Sequence, residues 1–141
     1  MGGLIGAFAP GAAREPGGDP ESLSEPEAFR GERSSWTGAG GFVTAYRWPW
    51  EALALASDGR GAVALHGELF LDGGTGGADA LLERLRRGGP AALRGLDGEF
   101  AGLWWDAGSR ELVLFRDPFG TRPLFFASSG GVVGVGTEIR Q

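Results

Sequence analysis

The chain has 141 residues, of which 42% are hydrophobic and 22% charged, and its formal net charge is -5. This size and composition suit one domain with a substantial core. All 13 basic residues are Arg, they form no basic stripe, and there is no Cys. Nucleic acid is therefore excluded as a partner, as are disulfides, thiolate metal sites and Cys nucleophiles. No apolar run reaches about 18 residues and the start lacks a basic segment, so we predict no membrane span, no signal peptide and a cytoplasmic location.

The first part of the chain is predicted to be one strand followed by a long loop. Residues 3–9 are apolar and small and end at Pro10, which indicates a strand. From 11 to 35 the chain is acidic, rich in Pro and Gly and poor in apolar residues. We therefore predict a mobile surface loop there, with at most one helical turn at residues 25–30.

Strands resume after this loop. Residues with high β propensity predict strands at 41–48, 53–56 and 62–65, and the Asp58-Gly59 pair predicts a hairpin turn between the last two.

A helical segment follows these strands. The glycines of residues 73–77 are interpreted as a strand-to-helix loop, because a phosphate-binding loop would need a Lys that the chain lacks. Residues 78–87 have apolar positions at helical spacing opposite charged ones, which predicts an amphipathic helix. A Gly pair ends it, and Pro90 suits the first turn of a short second helix through residue 93.

The rest of the chain is organised around residues 95–126. We predict three strands of one sheet at 100–105, 112–115 and 124–126, separated by turns and followed by a hairpin turn at 129–131. Both faces of these strands are apolar, so the sheet must be covered on both sides. Strands, a helical pair and further strands give an α+β order.

Three ordered motifs occupy this segment and its end: Leu-Asp-Gly-Glu-Phe-Ala at 96–101, Arg-Asp-Pro-Phe-Gly-Thr-Arg-Pro-Leu at 116–124, and Gly-Thr-Glu-Ile at 136–139. In this order they resemble the end of the glutaminase domain of asparagine synthetases, a domain related to those of lasso-peptide cyclases and β-lactam synthetases. The resemblance implies a four-layer N-terminal-nucleophile (Ntn) hydrolase-like α+β sandwich, with two mostly antiparallel sheets flanked by helices. It also implies that residues 1–141 form a single glutaminase-like domain.

The resemblance further implies where the chemistry should be. In the family, a Cys directly after Met1 attacks the glutamine amide, and its freed α-amine acts as the base. Here that position is Gly2, which has no side chain. We therefore predict that the glutaminase nucleophile is missing, with no catalytic residue and no metal site in this domain.

The substrate pocket that the resemblance implies is degenerate. His66-Gly67-Glu68 stands where the family has Asn-Gly-Glu, whose Asn and Gly form the oxyanion hole. We interpret His66 as a structural residue at a strand end more readily than as a general base. Gly77 stands where the family has an Asp that grips the substrate ammonium group, and Asp79 is expected to cap or charge the helix start. Arg47 is nearest in position to the family's carboxylate-binding Arg.

Charged residues also cluster in the Arg-Asp-Pro-Phe-Gly motif. Arg116, Asp117 and Gly120 are interpreted as a structural turn between two core strands, and binding of a carboxylate by Arg116, Asp117 and Arg122 is the alternative.

Four Trp residues fall into two groups. Trp104 and Trp105 are predicted to lie in the core, whereas Trp48 and Trp50, in a loop, are a candidate interface because Trp is enriched at binding hot spots.

The predicted role is a catalytically inactive glutaminase-like domain that serves as a structural and docking module in an asparagine synthetase-related, ATP-dependent, amide-forming enzyme of natural-product biosynthesis. Its expected partner is a synthetase domain or subunit that is absent from this chain. That partner, and not this domain, would hold ATP and Mg²⁺. Two alternatives stay open: a free-standing module that binds a small molecule such as an amino acid in the old pocket, and an Ntn hydrolase that uses a Ser or Thr.

Overall fold

A computed structural model describes residues 2–11, 31–71 and 73–137. Within these ranges the chain is mostly strand, with one α-helix and one 3-10 helix. The strands are β1 Gly3–Phe8, β2 Glu32–Gly38, β3 Gly41–Arg47, β4 Leu55–Asp58, β5 Gly61–Leu71, β6 Gly74–Gly76, β7 Asp97–Asp106, β8 Glu111–Arg116, β9 Phe125–Ser129 and β10 Val132–Gly136, and the helices are α1 Ala78–Gly88 and the 3-10 helix Gly89–Leu93.

The strands form two antiparallel sheets. The first sheet has the order β2-β3-β1-β10-β9, and the second has the order β4-β5-β7-β8, with β6 paired to the end of β5. β7 pairs with β5 over a register that runs from Gly61 opposite Asp106 to Phe70 opposite Asp97, and its other edge pairs with β8. The segment around residues 97–106 is therefore the centre of the second sheet.

An apolar layer lies between the two sheets. The rings of Phe8 and Trp105 are 5.1 Å apart at its centre, and the Trp105 indole N–H donates to the Ala39 carbonyl at 3.0 Å. The large ring is thus buried without losing its hydrogen bond. Full burial of a Val, Leu or Phe side chain contributes roughly 1.5–3 kcal/mol. The buried residues of this layer are Leu4, Phe8, Val43, Ala45, Ala54, Ala62, Ala64, Leu103, Trp105 and Val135.

Helix α1 covers the other face of the second sheet. Leu81, Leu82 and Leu85 share one side of the helix because of their spacing, and they pack with apolar residues of β5 and β7. Arg86, in the last turn, binds the Asp58 carboxylate at 2.7 Å. This hydrogen bond lowers the pKa of Asp58 to about 2.

Most of the predicted elements are confirmed within about two residues. They are the strands at 3–9, 41–48, 53–56, 100–105 and 112–115, the helix at 78–87, the short second helix and the hairpin turns at 58–59 and 129–131. Trp104 and Trp105 lie in the core as predicted.

The loop predicted over residues 11–35 is wrong from Glu32 onward. Strand β2 pairs along the whole of β3, and the hydroxyls of Ser35 and Thr44 form a hydrogen bond of 2.9 Å. β2 is polar because it is an edge strand with mostly exposed residues, a position where polar side chains protect against unwanted pairing. Residues 12–30, including the helical turn expected at 25–30, lie outside the described residues.

The prediction of a single three-stranded sheet over residues 100–126 is also wrong. β7 and β8 pair in the second sheet, whereas β9 pairs with β10 at the edge of the first. The segment after β8 crosses from one sheet to the other, so the turn at Asp117 does not join two core strands of one sheet. All the residues of β9 are exposed.

Three smaller differences concern the second sheet. The glycine-rich segment contains β6, which extends a hairpin with β5. β5 continues to Leu71, which places His66 inside a strand and not at its end. Helices cover only the outer face of the second sheet in the part of the chain that is described, so the expected fourth layer is not seen there. No helix formed by the described residues is long and apolar enough to span a membrane.

Candidate functional site

A cleft opens at one end of the sandwich, between the start of β1 and the middle of β5. Its empty volume is about 200 Å³, including its mouth. Of the residues expected from the sequence, the cleft brings together Gly2, Arg47, His66 and Gly67. The described residues that line it are Gly2, Tyr46, Arg47, Glu51, Ala52, Ala54, Leu65, His66 and Gly67.

Gly2 lies where the cleft meets the neighbouring strand β3. A Cβ atom added to Gly2 would be 2.2 Å from the Tyr46 carbonyl oxygen and 3.3 Å from the Cα of Arg47. Real Cβ atoms do not approach backbone atoms this closely, so any side chain here needs a shift of β1 or β3. The described residues of the lining include no Ser, Thr or Cys. The cleft therefore lacks both a hydroxyl or thiol nucleophile of the usual types and the space for one at Gly2.

His66 and Gly67 form the floor of the cleft. His66 is buried in β5, opposite Ala101 of β7. Gly67 has a φ of 113°, and a Cβ at this position would be 1.9 Å from the Glu99 carbonyl oxygen. Because only glycine tolerates this backbone conformation and this approach to β7, the sheet itself requires Gly67.

Arg47 lines the cleft, but its guanidinium already binds Glu32 and the backbone of Glu51. Nη2 lies 2.6 Å from a carboxylate oxygen of Glu32, which pairs with Arg47 across β2 and β3. Nη1 donates to the Glu51 carbonyl at 2.8 Å. A substrate carboxylate would have to compete with Glu32 for this cation.

The segment after β3 contributes cleft residues that sequence reasoning missed. Glu51 closes a turn, since its N–H donates to the Trp48 carbonyl at 3.0 Å and its carboxylate accepts the Trp48 N–H at 2.7 Å. Above this turn the indoles of Trp48 and Trp50 stack with centroids 5.3 Å apart. Pro49 between two Trp residues was the available signal for a turn, but nothing local indicated that it borders a cleft.

Glu68 and Gly77 are not among the residues that line the cleft. Glu68 follows Gly67 on β5 and lies opposite Glu99 of β7. Gly77 precedes α1 and is buried, and a Cβ there would be 2.5 Å from the Leu53 backbone nitrogen. Asp79 lies in the first turn of α1, where the helix dipole stabilises its negative charge. It does not cap the helix, because the N-cap residue is Gly77 and no side chain makes a capping hydrogen bond.

The turn after β8 is built around a buried carboxylate. Asp117 accepts hydrogen bonds from the N–H groups of Phe100 at 3.1 Å and Phe119 at 2.9 Å, and from the hydroxyl of Thr121. The bond from Thr121, followed by the backbone donors, lowers the pKa of Asp117 to about 2 even though burial raises it. Gly120 has a φ of 62°, and its N–H donates to the Asp117 carbonyl at 3.1 Å. These contacts use the Asp117 oxygens for the fold and not for a ligand.

In the described ranges no group of three or more His, Asp or Glu side chains is arranged to hold a metal ion.

Comparisons with known proteins agree with the position of these motifs. The family model described as "Glutamine amidotransferase domain" matches residues 73–141. Proteins of Mycobacterium bovis and Mycobacterium tuberculosis, named as asparagine synthetases of the glutamine-hydrolysing type, are 41% identical to this chain over 73 residues. The match covers 52% of this chain and 11% of each relative, so it spans only a small part of their length. Over residues 73–141 the chain is therefore similar to glutamine amidotransferase domains, and relatives that it matches over 73 residues are named as asparagine synthetases.

Proposed function

We propose that this chain is a catalytically inactive glutaminase-like domain with the four-layer Ntn fold. It serves as a structural and docking module for a synthetase domain or subunit of the asparagine synthetase type. The observation that carries the proposal is the position of Gly2, which lines the same cleft as His66 and Gly67 and has the Tyr46 carbonyl oxygen 2.2 Å from where its Cβ would be.

The chemistry of glutamine hydrolysis explains why this observation matters. In the glutaminases that this domain resembles, ammonia release uses a nucleophile that forms a covalent acyl intermediate and donors that stabilise the oxyanion. Within the part of the chain that the structure describes, the cleft offers no Ser, Thr or Cys, and its Arg47 is bound to Glu32. Removal of a single oxyanion donor costs roughly 3 kcal/mol of transition-state stabilisation, and loss of the nucleophile removes the covalent route itself.

The proposed partner supplies the chemistry that this domain lacks. Two relatives are named as asparagine synthetases, and the matched segment is 11% of each. We propose that an amide-forming synthetase acts together with this domain, takes its amine from another substrate and holds ATP and Mg²⁺ itself. The expected setting is a natural-product pathway in the cytoplasm.

A glutaminase assay tests the inactivity. The purified chain is incubated with glutamine and ammonia release is measured, with the Mycobacterium tuberculosis relative as the positive control. We expect release at the level of the buffer blank. Ammonia release that depends on this chain and rises with its concentration would refute the proposal.

A second candidate function is binding of a free amino acid, and the presence of Arg47 at the cleft favours it. Calorimetric titration with glutamine and glutamate separates the two, because the ion pair with Glu32 predicts no measurable heat of binding. A saturable signal that Arg47→Ala removes would favour the binding module. The described lining residues give no support to the hypothesis of a hydrolase that uses a Ser or Thr nucleophile. An intact mass that shows internal cleavage of the chain would support that hypothesis.

A further inference from the structure

Three exposed Phe side chains lie where the chain crosses from the second sheet to the first. Phe119 is 90% exposed in the turn after β8, and Phe125 and Phe126 are 41% and 68% exposed at the start of β9. Contiguous exposed apolar surface on a protein marks a contact surface, and these three side chains lie within eight consecutive residues of the chain. Because successive side chains of a strand point to opposite faces, Phe125 and Phe126 lie on different sides of β9. We call Phe119, Phe126 and the outer edge of β9 the β9 surface.

The edge of β9 lacks the features that normally protect a strand edge. β9 is the last strand of the first sheet, and among the described residues no strand pairs with its outer side. Residues 123–137, which include β9 and β10, contain no charged side chain. Natural edge strands are usually protected by Lys or other charges, by bulges or by a covering segment. The open donors and acceptors of β9 are therefore available to an additional strand or loop.

The position of Phe126 shows that the first sheet overhangs the second. Phe126 is opposite Val135 of β10, and residues opposite each other in an antiparallel pair project to the same face. Val135 is buried between the sheets, whereas Phe126 is exposed. The second sheet ends at β8, and the described residues leave Phe126 68% exposed on this face.

The turn that carries Phe119 is held in place before any partner arrives. The N–H of Phe119 donates to the buried Asp117 carboxylate at 2.9 Å, and the Asp117 N–H donates to the Phe100 carbonyl at 2.9 Å. A side chain presented on a fixed backbone loses little conformational entropy on binding. Arg116 is exposed beside this turn, so the apolar surface has a basic border.

The length of the relatives indicates what covers this surface. Gly136, the last residue of β10, is opposite Phe125 of β9, and Thr137 is fixed by its N–H bond to the Leu4 carbonyl at 3.1 Å. The described chain therefore reaches residue 137 near the start of β9, one strand in from the open edge of that strand. In the relatives the matched segment is 11% of a much longer protein, so a large polypeptide accompanies the same fold.

We propose that the β9 surface docks the synthetase-type partner, through pairing of a partner strand or loop with the edge of β9 and burial of Phe119 and Phe126. This inference rests on the proposed docking function and adds the surface and its chemistry. The partner should present an apolar face bordered by carboxylates that match Arg116.

Binding measurements with the full 141-residue chain test the proposal. The probe is the purified synthetase-type polypeptide that follows residue 141 in the reading frame or is encoded beside it. Wild type, Phe126→Lys and Phe119→Ala are titrated against it, and Phe70→Lys is the matched control because Phe70 is an equally large, 45% exposed side chain on β5. Thermal melts show that each variant is folded, and light scattering of each chain alone reports its own oligomeric state.

The expected result is that Phe126→Lys weakens binding roughly 30-fold, that Phe119→Ala weakens it about tenfold, and that Phe70→Lys leaves it unchanged. Binding by wild type that neither β9-surface variant alters would overturn this inference and leave the docking function intact. No binding by wild type would refute the docking function itself. Self-association of the chain that Phe126→Lys abolishes, without an effect on the synthetase, would assign the surface to a second copy and also overturn the inference.

Discussion

The buried carboxylate of Asp117 and the backbone of Phe100 are joined by two hydrogen bonds that link the turn after β8 to the start of β7. The Phe100 N–H donates to the carboxylate at 3.1 Å, and the Asp117 N–H donates to the Phe100 carbonyl at 2.9 Å. Because β7 is the centre of the second sheet, this pair fixes the position at which the chain crosses to the first sheet. The Arg-Asp-Pro-Phe-Gly motif is thereby tied to the core.

We predict that Asp117→Asn lowers the melting temperature. The two oxygens of the Asp117 carboxylate both accept hydrogen bonds, from Phe100, Phe119 and Thr121. The Asn side chain has only one oxygen that can accept, and its NH₂ group cannot, so at least one of these donors loses its partner. The exposed Asp97→Asn, whose carboxylate accepts only the adjacent Gly98 N–H, is the control and should melt close to wild type. Equal melting of Asp117→Asn and wild type would show that the turn does not depend on the carboxylate.

Acid should destabilise the wild type through the same carboxylate. The pKa of Asp117 is about 2 in the folded chain, below the value of about 3.9 in unfolded peptides. Ionised Asp117 therefore stabilises the fold fully above about pH 4, and this contribution is lost as the pH falls toward 2. The pKa of Asp58 is also lowered to about 2, so Asp58 loses its stabilising charge in the same pH range. Its contribution to stability should be smaller because it lies at the surface. Melts between pH 7 and 2 should show a smaller decline for Asp117→Asn than for wild type.

The two Trp groups should differ strongly in their contribution to stability. Trp104 is 7% exposed in the layer between the second sheet and α1, whereas Trp50 is 78% exposed. Trp104→Ala should reduce the free energy of unfolding by about 3–5 kcal/mol, and Trp50→Ala by under about 1 kcal/mol. Denaturant titrations of the two variants check this order. The reverse order would contradict the assignment of core and surface.

Elements specified by local pattern were predictable from the sequence. The helix over Ala78–Gly88 has its Leu residues on one side, and the strands around Trp104 and Leu114 have apolar residues on both faces, so periodicity and composition suffice to find them. The Asp58-Gly59 turn is equally local. These features need no knowledge of which strand pairs with which.

Features set by distant partners were not predictable. β9 resembles a core strand because Leu124, Phe125 and Phe126 are apolar, yet its sheet is chosen by pairing with β10 and it remains at the edge. β2 is polar and was expected as loop, although β3 supplies a complete pairing partner. In both strands, pairing with another strand, and not the local sequence pattern, determines the structure.

The candidate site also combines features that the sequence indicated with features that depend on distant strands. The sequence alone located Gly2, His66 and Gly67 through motif order, and the structure places all three at one cleft. The ion pair between Arg47 and Glu32 and the closeness of Tyr46 to Gly2 depend on the β1-β3-β2 arrangement, so no local pattern indicated them.

Restoring the acidic residue at position 77 should damage the fold. A Cβ on Gly77 would lie 2.5 Å from the backbone nitrogen and 2.6 Å from the carbonyl oxygen of Leu53, which itself accepts the Ala78 N–H. Gly77→Asp should therefore destabilise the chain by about 1–3 kcal/mol through overpacking. Gly59→Asp is the matched control, since nothing lies within 4 Å of a Cβ at Gly59. Equal unfolding free energies for the two variants would show that α1 can move away from Leu53.

Restoring the nucleophile alone should not restore catalysis. Gly2→Cys introduces a thiol, but its Cβ meets the Tyr46 carbonyl oxygen at 2.2 Å, so β1 or β3 must shift and the sulfur is displaced from a productive position. Small displacements of reacting groups cost about 100-fold in rate, and Arg47 remains bound to Glu32. We expect no glutamine-dependent ammonia release and no acyl-enzyme mass for Gly2→Cys, checked on protein whose intact mass shows that Met1 has been removed. A melting temperature below wild type would reflect the shift of the strands. Efficient hydrolysis by this single variant would show instead that the cleft keeps a working geometry and that only the thiol is missing.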